Sequence, residues 1–104
     1  MFIYYIMPKK YEPIGVVSNP SKVFSNAKKV YGNNVQIELS DKPSKKYKIY
    51  DPNKKKWYYF GDSSYADYTK TQDEEKRRLF RIRNAKWADS PMFSPAFSSF
   101  WLLW

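Results

Sequence analysis

The sequence predicts an α+β fold in which a small antiparallel sheet packs against helices. Two observations lead to this prediction. Apolar side chains recur at helical spacing in some segments, and in others they alternate with polar side chains, as in strands. The chain has 104 residues, a length at which about two-thirds of the unfolded surface becomes buried. We therefore expect one small domain, residues 1–104, with a small core.

The predicted sheet has three parts. Residues 2–7 are rich in β-branched and aromatic side chains and precede a proline, so they form either a short strand or part of an extended arm over residues 1–8. Residues 35–39 alternate between apolar and polar side chains, as a strand with one wet face does. A hairpin is predicted over 46–60, because Asp-Pro-Asn at 51–53 favours a turn between two aromatic runs.

Three helices are predicted, near 20–31, 72–86 and 95–104. The first and third begin with a polar residue followed by proline, a combination that caps a helix and fixes its first dihedral angle. The second follows residues 71–74, Thr-Gln-Asp-Glu, which match a capping box. The third is apolar on nearly all sides and must therefore be buried or docked against a partner.

The second predicted helix has one apolar arc and one charged arc at about 100° per residue. The apolar arc comprises Leu79, Phe80, Ile82 and Trp87. The opposite arc comprises Glu74, Arg77, Arg78 and Arg81. We expect the arginines to point towards solvent, where Asp73 and Glu74 lie four residues before Arg77 and Arg78 and favour local ion pairs.

The composition excludes several classes of enzyme. The sequence has neither cysteine nor histidine, so thiolate sites, the usual zinc sites and Ser-His or Cys-His pairs cannot form. A nuclease would need carboxylates that converge on Mg²⁺. The candidate carboxylates are Asp62, Asp67, Asp73, Glu74 and Glu75. Those at 73–75 are better explained as first-turn acids of a helix, so we expect a protein without catalytic residues, metal or cofactor.

Positive charge dominates the chain and is unevenly distributed. The net charge is +9, and basic blocks at 40–60 and 76–104 flank an acidic block at 61–75. This balance is typical of a protein that meets a polyanion or an acidic surface. The candidate polyanion contacts are Lys45, Lys46, Lys48, Lys54, Lys55, Lys56, Arg77, Arg81 and Arg83. Alternatively, these lysines keep the edges of an ordinary hairpin soluble.

Aromatic residues make up 20% of the chain, more than a small core needs, which indicates contact with a partner. Both ends are apolar, yet each apolar run is far shorter than the ~20 residues that span a bilayer. The candidate protein-interface residues are Phe2, Tyr4, Tyr5, Phe97, Phe100, Trp101 and Trp104. Burial of the C-terminal residues in the core of this chain is the alternative.

Three segments resemble a known family when taken together. They are KKYKIYDPNKKKWYYFGDSSYADYT, DEEKRRLFRIRNAKW and FSPAFSSFWLLW. Residues 45–104 resemble small, basic, largely uncharacterised proteins of nucleocytoplasmic large DNA viruses, such as algal and giant amoebal viruses. Members of that family often carry histidine where Thr71 stands, so no role of that histidine carries over. The resemblance implies a viral setting and no particular enzymatic activity.

The expected function is that of a minor structural, capsid-associated protein of a large DNA virus particle. It would bind neighbouring capsid proteins through its aromatic-rich ends, in the virion and in the host cytoplasm during assembly. The alternative is a sequence-nonspecific nucleic-acid-binding protein associated with the viral genome, in which lysines and arginines contact phosphates.

Overall fold

A three-stranded antiparallel sheet forms the centre of the fold. The computed structural model describes residues 13–104. Its strands are β1 Ile37–Leu39, β2 Lys45–Asp51 and β3 Lys56–Asp62, in the order β1-β2-β3. The predicted strand at 35–39 and the hairpin at 46–60 are thus confirmed, with a shorter β1 and a slightly longer hairpin. The strand or arm predicted over residues 1–8 lies outside the described residues.

The hairpin turn follows from the chemistry of its first residue. Asp51 is buried, and its Oδ1 accepts hydrogen bonds from the backbone N–H groups of Asn53 at 2.9 Å and Lys54 at 3.3 Å. Lys55 completes the turn with a φ of 54°. The strands then pair in a register that places Tyr47 opposite Phe60. Both side chains face the core, so this register decides which hairpin face is buried.

The described part of the chain contains five α-helices. They are α1 Ile14–Val17, α2 Pro20–Tyr31, α3 Tyr68–Thr71, α4 Glu74–Arg83 and α5 Pro95–Ser98. A 3-10 helix, Ala85–Asp89, follows α4, and a π-helical turn, Ser99–Leu103, continues α5. The predicted α+β class is therefore confirmed. The four-residue helices α1 and α3 were not predicted, because one turn is too short to show a periodic pattern.

The start of α4 differs from the predicted capping box. Asp73, rather than Thr71, caps the helix, and its carboxylate accepts a hydrogen bond of 3.1 Å from the N–H of Lys76. Thr71 ends α3, and Gln72 follows in the left-handed region with a φ of 56°. The predicted cap is thus wrong by two residues, because a separate turn of helix occupies the positions before it.

The core lies between the sheet, α2 and residues 95–104, which we call the C-terminal segment. Its fully buried residues are Val23, Ala27, Tyr47, Ile49, Phe60, Leu102 and Leu103. Two polar contacts fix the C-terminal segment to α2: Asn26 donates a hydrogen bond to the carbonyl of Leu102 at 3.0 Å, and the hydroxyls of Tyr31 and Ser98 lie 2.9 Å apart. The C-terminal segment is therefore an integral part of the core.

Gly61 in β3 occupies a position that only glycine fits well. Its φ is +83°, and a Cβ there would lie 3.0 Å from Leu103 Cδ1 and 3.1 Å from Lys46 Cβ. Leu103 is buried, so it cannot move aside freely.

Gly61→Ala should therefore lower the free energy of unfolding by about 1–3 kcal/mol, from backbone strain and the contact with Leu103. Urea denaturation measures this change. Gly15→Ala is the matched control, since Gly15 lies in α1 and nothing stands within 4 Å of its added methyl group; its stability should stay equal or rise slightly. Equal stabilities of Gly61→Ala and the natural chain would contradict the prediction.

Candidate functional site

A wide groove opens between the end of the hairpin, α4 and the C-terminal segment. It has a volume of about 810 Å³, within the range of roughly 300–1,000 Å³ typical of ligand sites. Phe60 and Leu103, both buried core residues, lie at its base. Its lining also includes residues of α4, Trp87, and Pro95, Ala96 and Ser99 of the C-terminal segment. The groove therefore leads to apolar core residues, although Phe60 and Leu103 themselves are only 1% and 2% exposed.

The groove exists because α4 packs on a different face from the one its sequence predicts. Leu79 is 42% exposed and Ile82 is 62% exposed, and no residue of α4 is buried. Of the predicted apolar arc, Phe80 packs closely against the domain, with its ring stacked on Trp104 at a centroid distance of 4.4 Å. The prediction that Leu79 and Ile82 face the core is therefore wrong.

Arg77 and Arg81 of α4 turn towards the C-terminal segment, whereas Arg78 is exposed, as predicted. The backbone oxygen of Trp104 accepts hydrogen bonds from Arg77 Nε at 2.8 Å and from Arg81 Nη2 at 3.0 Å. Arg81 also lies over the ring of Phe100, with its Cζ 5.2 Å from the centroid. The prediction that Arg77 and Arg81 point outward is wrong, because the backbone oxygen of Trp104 and nearby aromatic rings partly cover both guanidinium groups.

The rim of the groove is basic. Lys45, Lys76 and Arg83 line it and are exposed, and none of them forms an ion pair within residues 13–104. Asp62 is the one acid in the lining, and it accepts a hydrogen bond from the N–H of Ser64 at 2.8 Å. Positive charge therefore prevails around an apolar interior.

A buried ion pair fixes the strand side of the groove. Lys46 Nζ lies 3.1 Å from Asp67 Oδ2, and both side chains are almost fully buried. Burial lowers the pKa of Lys46, and the charge of Asp67 opposes this effect. Lys46 was a predicted polyanion contact, but it is shielded from solvent and already paired, so the structure does not support that role.

Hydrogen bonds continue from this pair into the core. Thr69 donates to the carboxylate of Asp67, and the Thr69 hydroxyl lies 3.2 Å from that of Ser18. Tyr47 donates to Ser18 Oγ at 2.7 Å. No buried side-chain nitrogen or oxygen among the described residues lacks a partner. The network therefore joins β2, α3 and the turn before α2 through fully satisfied polar groups, as buried polar groups require.

The outer face of the hairpin carries lysines and aromatic rings that already contact one another. Lys42 lies 4.1 Å from the ring centroid of Tyr59, and Lys48 lies 4.9 Å from that of Trp57. Lys48 also lies within 3.8 Å of carboxylate oxygens of Glu38 and Asp41. Internal partners thus offset much of the charge of this face, which weakens it as a surface for nucleic acid.

The other predicted contacts are distributed over several surfaces. Lys54, Lys55 and Lys56 are exposed at the tip of the hairpin, away from the groove. Phe100 is buried, which favours the core alternative for it, whereas Trp101 is 39% exposed. Phe97 and Trp104 are partly buried, and Trp104 lines the groove. Phe2, Tyr4 and Tyr5 lie outside the described residues.

A second, smaller pocket lies between α2 and α4. It has a volume of about 380 Å³, and four cations contribute to its lining: Lys22, Lys29, Arg77 and Arg81. No carboxylate lines it. Burial and, to a smaller extent, the nearby charge of Arg77 lower the pKa of Arg81.

Tyr65 and Lys76 are groove residues that the sequence did not single out, and Leu79 was noted only as part of an apolar arc. Leu79 and Arg83 follow Lys76 by three and seven residues, so all three lie on one side of α4. Only the packing of α4 reveals that this side borders a groove. Across residues 13–104, no group of three or more potential ligands could hold a metal ion, and no helix has the length and apolar character needed to cross a bilayer.

Removal of the Asp67 carboxylate should strongly destabilise the fold. Asp67→Ala would leave the Lys46 ammonium buried without a partner, and we expect a loss of about 3–5 kcal/mol in the free energy of unfolding. Chemical denaturation followed by tryptophan fluorescence measures it. Glu75→Ala, which breaks an exposed ion pair with Arg78, is the control and should change stability little. A loss of stability in Asp67→Ala that is as small as the loss in Glu75→Ala would contradict the prediction.

The stability of the fold should fall at alkaline pH, partly because of Tyr47. Burial raises the pKa of Tyr47 above its ordinary value of 10.0, so the unfolded chain loses this proton before the folded chain does. The stabilisation that the protonated Tyr47 hydroxyl gives to the fold is therefore complete below pH 10 and is lost as the pH rises above 10. Tyr47→Phe should lower stability by about 1 kcal/mol at neutral pH and should flatten the alkaline loss. Unfolding curves between neutral and alkaline pH test this; equal slopes in the two proteins would contradict it.

Comparison with known proteins adds a partial family match. Residues 35–84, just under half of the chain, match the model of a family of unknown function, DUF5754. No curated protein and no solved structure matches the chain. The matched region contains the whole sheet, the Lys46–Asp67 pair and the α4 side of the groove, so the chain is similar to that uncharacterised family in the part that builds most of the candidate site.

Proposed function

We propose that this protein is a non-enzymatic structural component of a large DNA virus particle that attaches to a neighbouring capsid protein through the groove. The observation that supports attachment is the groove itself, where Leu79 and Trp87 stay exposed beside buried core residues. Covering such a surface with a partner removes apolar area from water. The resemblance of residues 45–104 to proteins of large DNA viruses supports the viral setting.

The C-terminal aromatic residues enter this proposal as one side of the binding surface. Phe100 and Leu103 anchor the segment in the core, while Pro95, Ala96 and Trp104 line the groove. A partner would therefore bind a surface that packing against the core holds in place, rather than a flexible terminal segment. Rigid surfaces lose little conformational entropy on binding, which suits a protein that holds a lattice together.

Nucleic-acid binding is the second candidate, and the cationic pocket between α2 and α4 favours it. Four cations line that pocket without an Asp or Glu side chain among them: Lys22, Lys29, Arg77 and Arg81. Phosphate groups bind well to clusters of cations, although both arginines here already donate hydrogen bonds to the backbone oxygen of Trp104. The groove favours the first candidate more strongly, because it is larger and mainly apolar, whereas a phosphate backbone is bound by charges.

Stepwise dissection of purified virus particles tests the location of the protein. The shell is removed before the genome, and the chain is followed by mass spectrometry. The proposal expects release together with capsid proteins. Retention with DNA after the shell has gone would contradict it and would favour the second candidate.

A rebinding assay then tests the role of the groove. Leu79→Ser should lower rebinding of the purified protein to stripped shells by about tenfold, since an apolar contact at the centre of an interface contributes about 1–2 kcal/mol. Leu39→Ser is the matched control, because Leu39 is similarly exposed, at 47%, and does not line the groove. Equal rebinding of the two variants would contradict attachment through the groove.

A further inference from the structure

We propose that the groove binds an acidic segment of the partner protein, in which apolar side chains are flanked by aspartate or glutamate. This inference rests on the proposed attachment through the groove and adds the chemistry of the segment that enters it. Three observations support it: the rim is basic, the interior is mainly apolar, and the segments that this chain could itself provide are also basic.

The rim supplies the charge argument. Lys45, Lys76 and Arg83 surround the groove without an ion pair inside the described residues, while Asp62 is engaged by the N–H of Ser64. Lys76 and Arg83 lie seven residues apart on α4, which corresponds to about 10 Å along the helix axis. Carboxylates on both flanks of a bound segment can therefore meet separate cations.

The interior supplies the apolar argument. Leu79, Ala96 and Leu103 line it together with the aromatic rings of Phe80, Trp87 and Trp104. A volume of about 810 Å³ is sufficient for a few large side chains, and such pockets hold the anchors that dominate interface energy. The rings of Phe80 and Trp104 already stack on each other, which leaves fewer free ring faces on which a nucleobase could stack. Leucine and phenylalanine side chains, by contrast, can pack against both the aliphatic and the aromatic parts of this lining.

The charge of the chain argues against the two occupants that this protein could itself provide. Its N-terminal apolar run, residues 2–7, is followed by Lys9 and Lys10, which carry the same sign as the rim. A second copy of the chain would bring a net charge of +9. Like charges across an interface oppose association, so the segment is expected to come from a different, acidic protein.

Fluorescence polarisation with three synthetic peptides tests the proposal on the full chain. The first peptide carries phenylalanine and leucine between glutamates, the second has lysines in place of the glutamates, and the third has serines in place of the apolar residues. The first should bind at least about tenfold more tightly than either of the others, since both the rim and the interior contribute.

Paired charge reversals identify the surface that binds. Lys76→Glu with Arg83→Glu should weaken binding of the first peptide by about tenfold or more, because repulsion replaces attraction at the rim. Lys54→Glu with Lys55→Glu is the matched control: it makes the same change in net charge at the exposed hairpin tip, away from the groove, and should change affinity by less than about twofold. All four residues are exposed, and circular dichroism checks that each variant folds.

Several outcomes would overturn the proposal. They are equal binding of the glutamate and lysine peptides, equal effects of the two double variants, and displacement of the first peptide by oligothymidylate at equal concentration, which would indicate a nucleic-acid site. If none of the peptides binds but the protein is still released with the capsid proteins, the acidic segment is rejected and the proposed function stands. Retention of the protein with DNA would reject the proposed function itself.

Discussion

The buried ion pair between Lys46 and Asp67 is the interaction on which the rest of the structure depends. It joins β2 to the segment that precedes α3, and its hydrogen bonds continue through Thr69 and Ser18 to Tyr47 in the core. Burying two charges costs several kcal/mol per ion, which their attraction offsets only when the geometry is good. We interpret the pair as a device that specifies one packing arrangement, since misplacement of α3 would leave a buried charge without a partner.

The position of the groove follows from that arrangement. With β2, β3 and α3 held together, α4 begins after the left-handed residue Gln72 and packs against Trp104 through Arg77, Phe80 and Arg81. In the described part of the chain, Leu79 of α4 then stays 42% exposed, and the groove remains open beside it. An apolar surface and a basic rim are thus consequences of how one short helix is attached.

Much of the fold could be predicted from local signals, whereas most of the candidate site could not. The Asn19 cap of α2 and the Ser94 cap of α5 lie next to prolines and are visible in the sequence. For α4, however, the sequence arc favoured Leu79 and Ile82 as core residues, while the structure buries parts of Arg77 and Arg81. An arginine side chain can hydrogen-bond to a backbone oxygen and lie over an aromatic ring. Whether it does so depends on residues that are distant in the sequence.

The place of Leu102 and Leu103 in the core also bears on how the chain is made. Because both residues complete the packing of α2 against the sheet, a nascent chain cannot close its core until these residues have left the ribosome. Until then, the aromatic hairpin is exposed to other chains, as the apolar surfaces of unfinished domains generally are. Synthesis rate and chaperones should therefore influence the yield of this protein more than they would for a domain whose core is complete early.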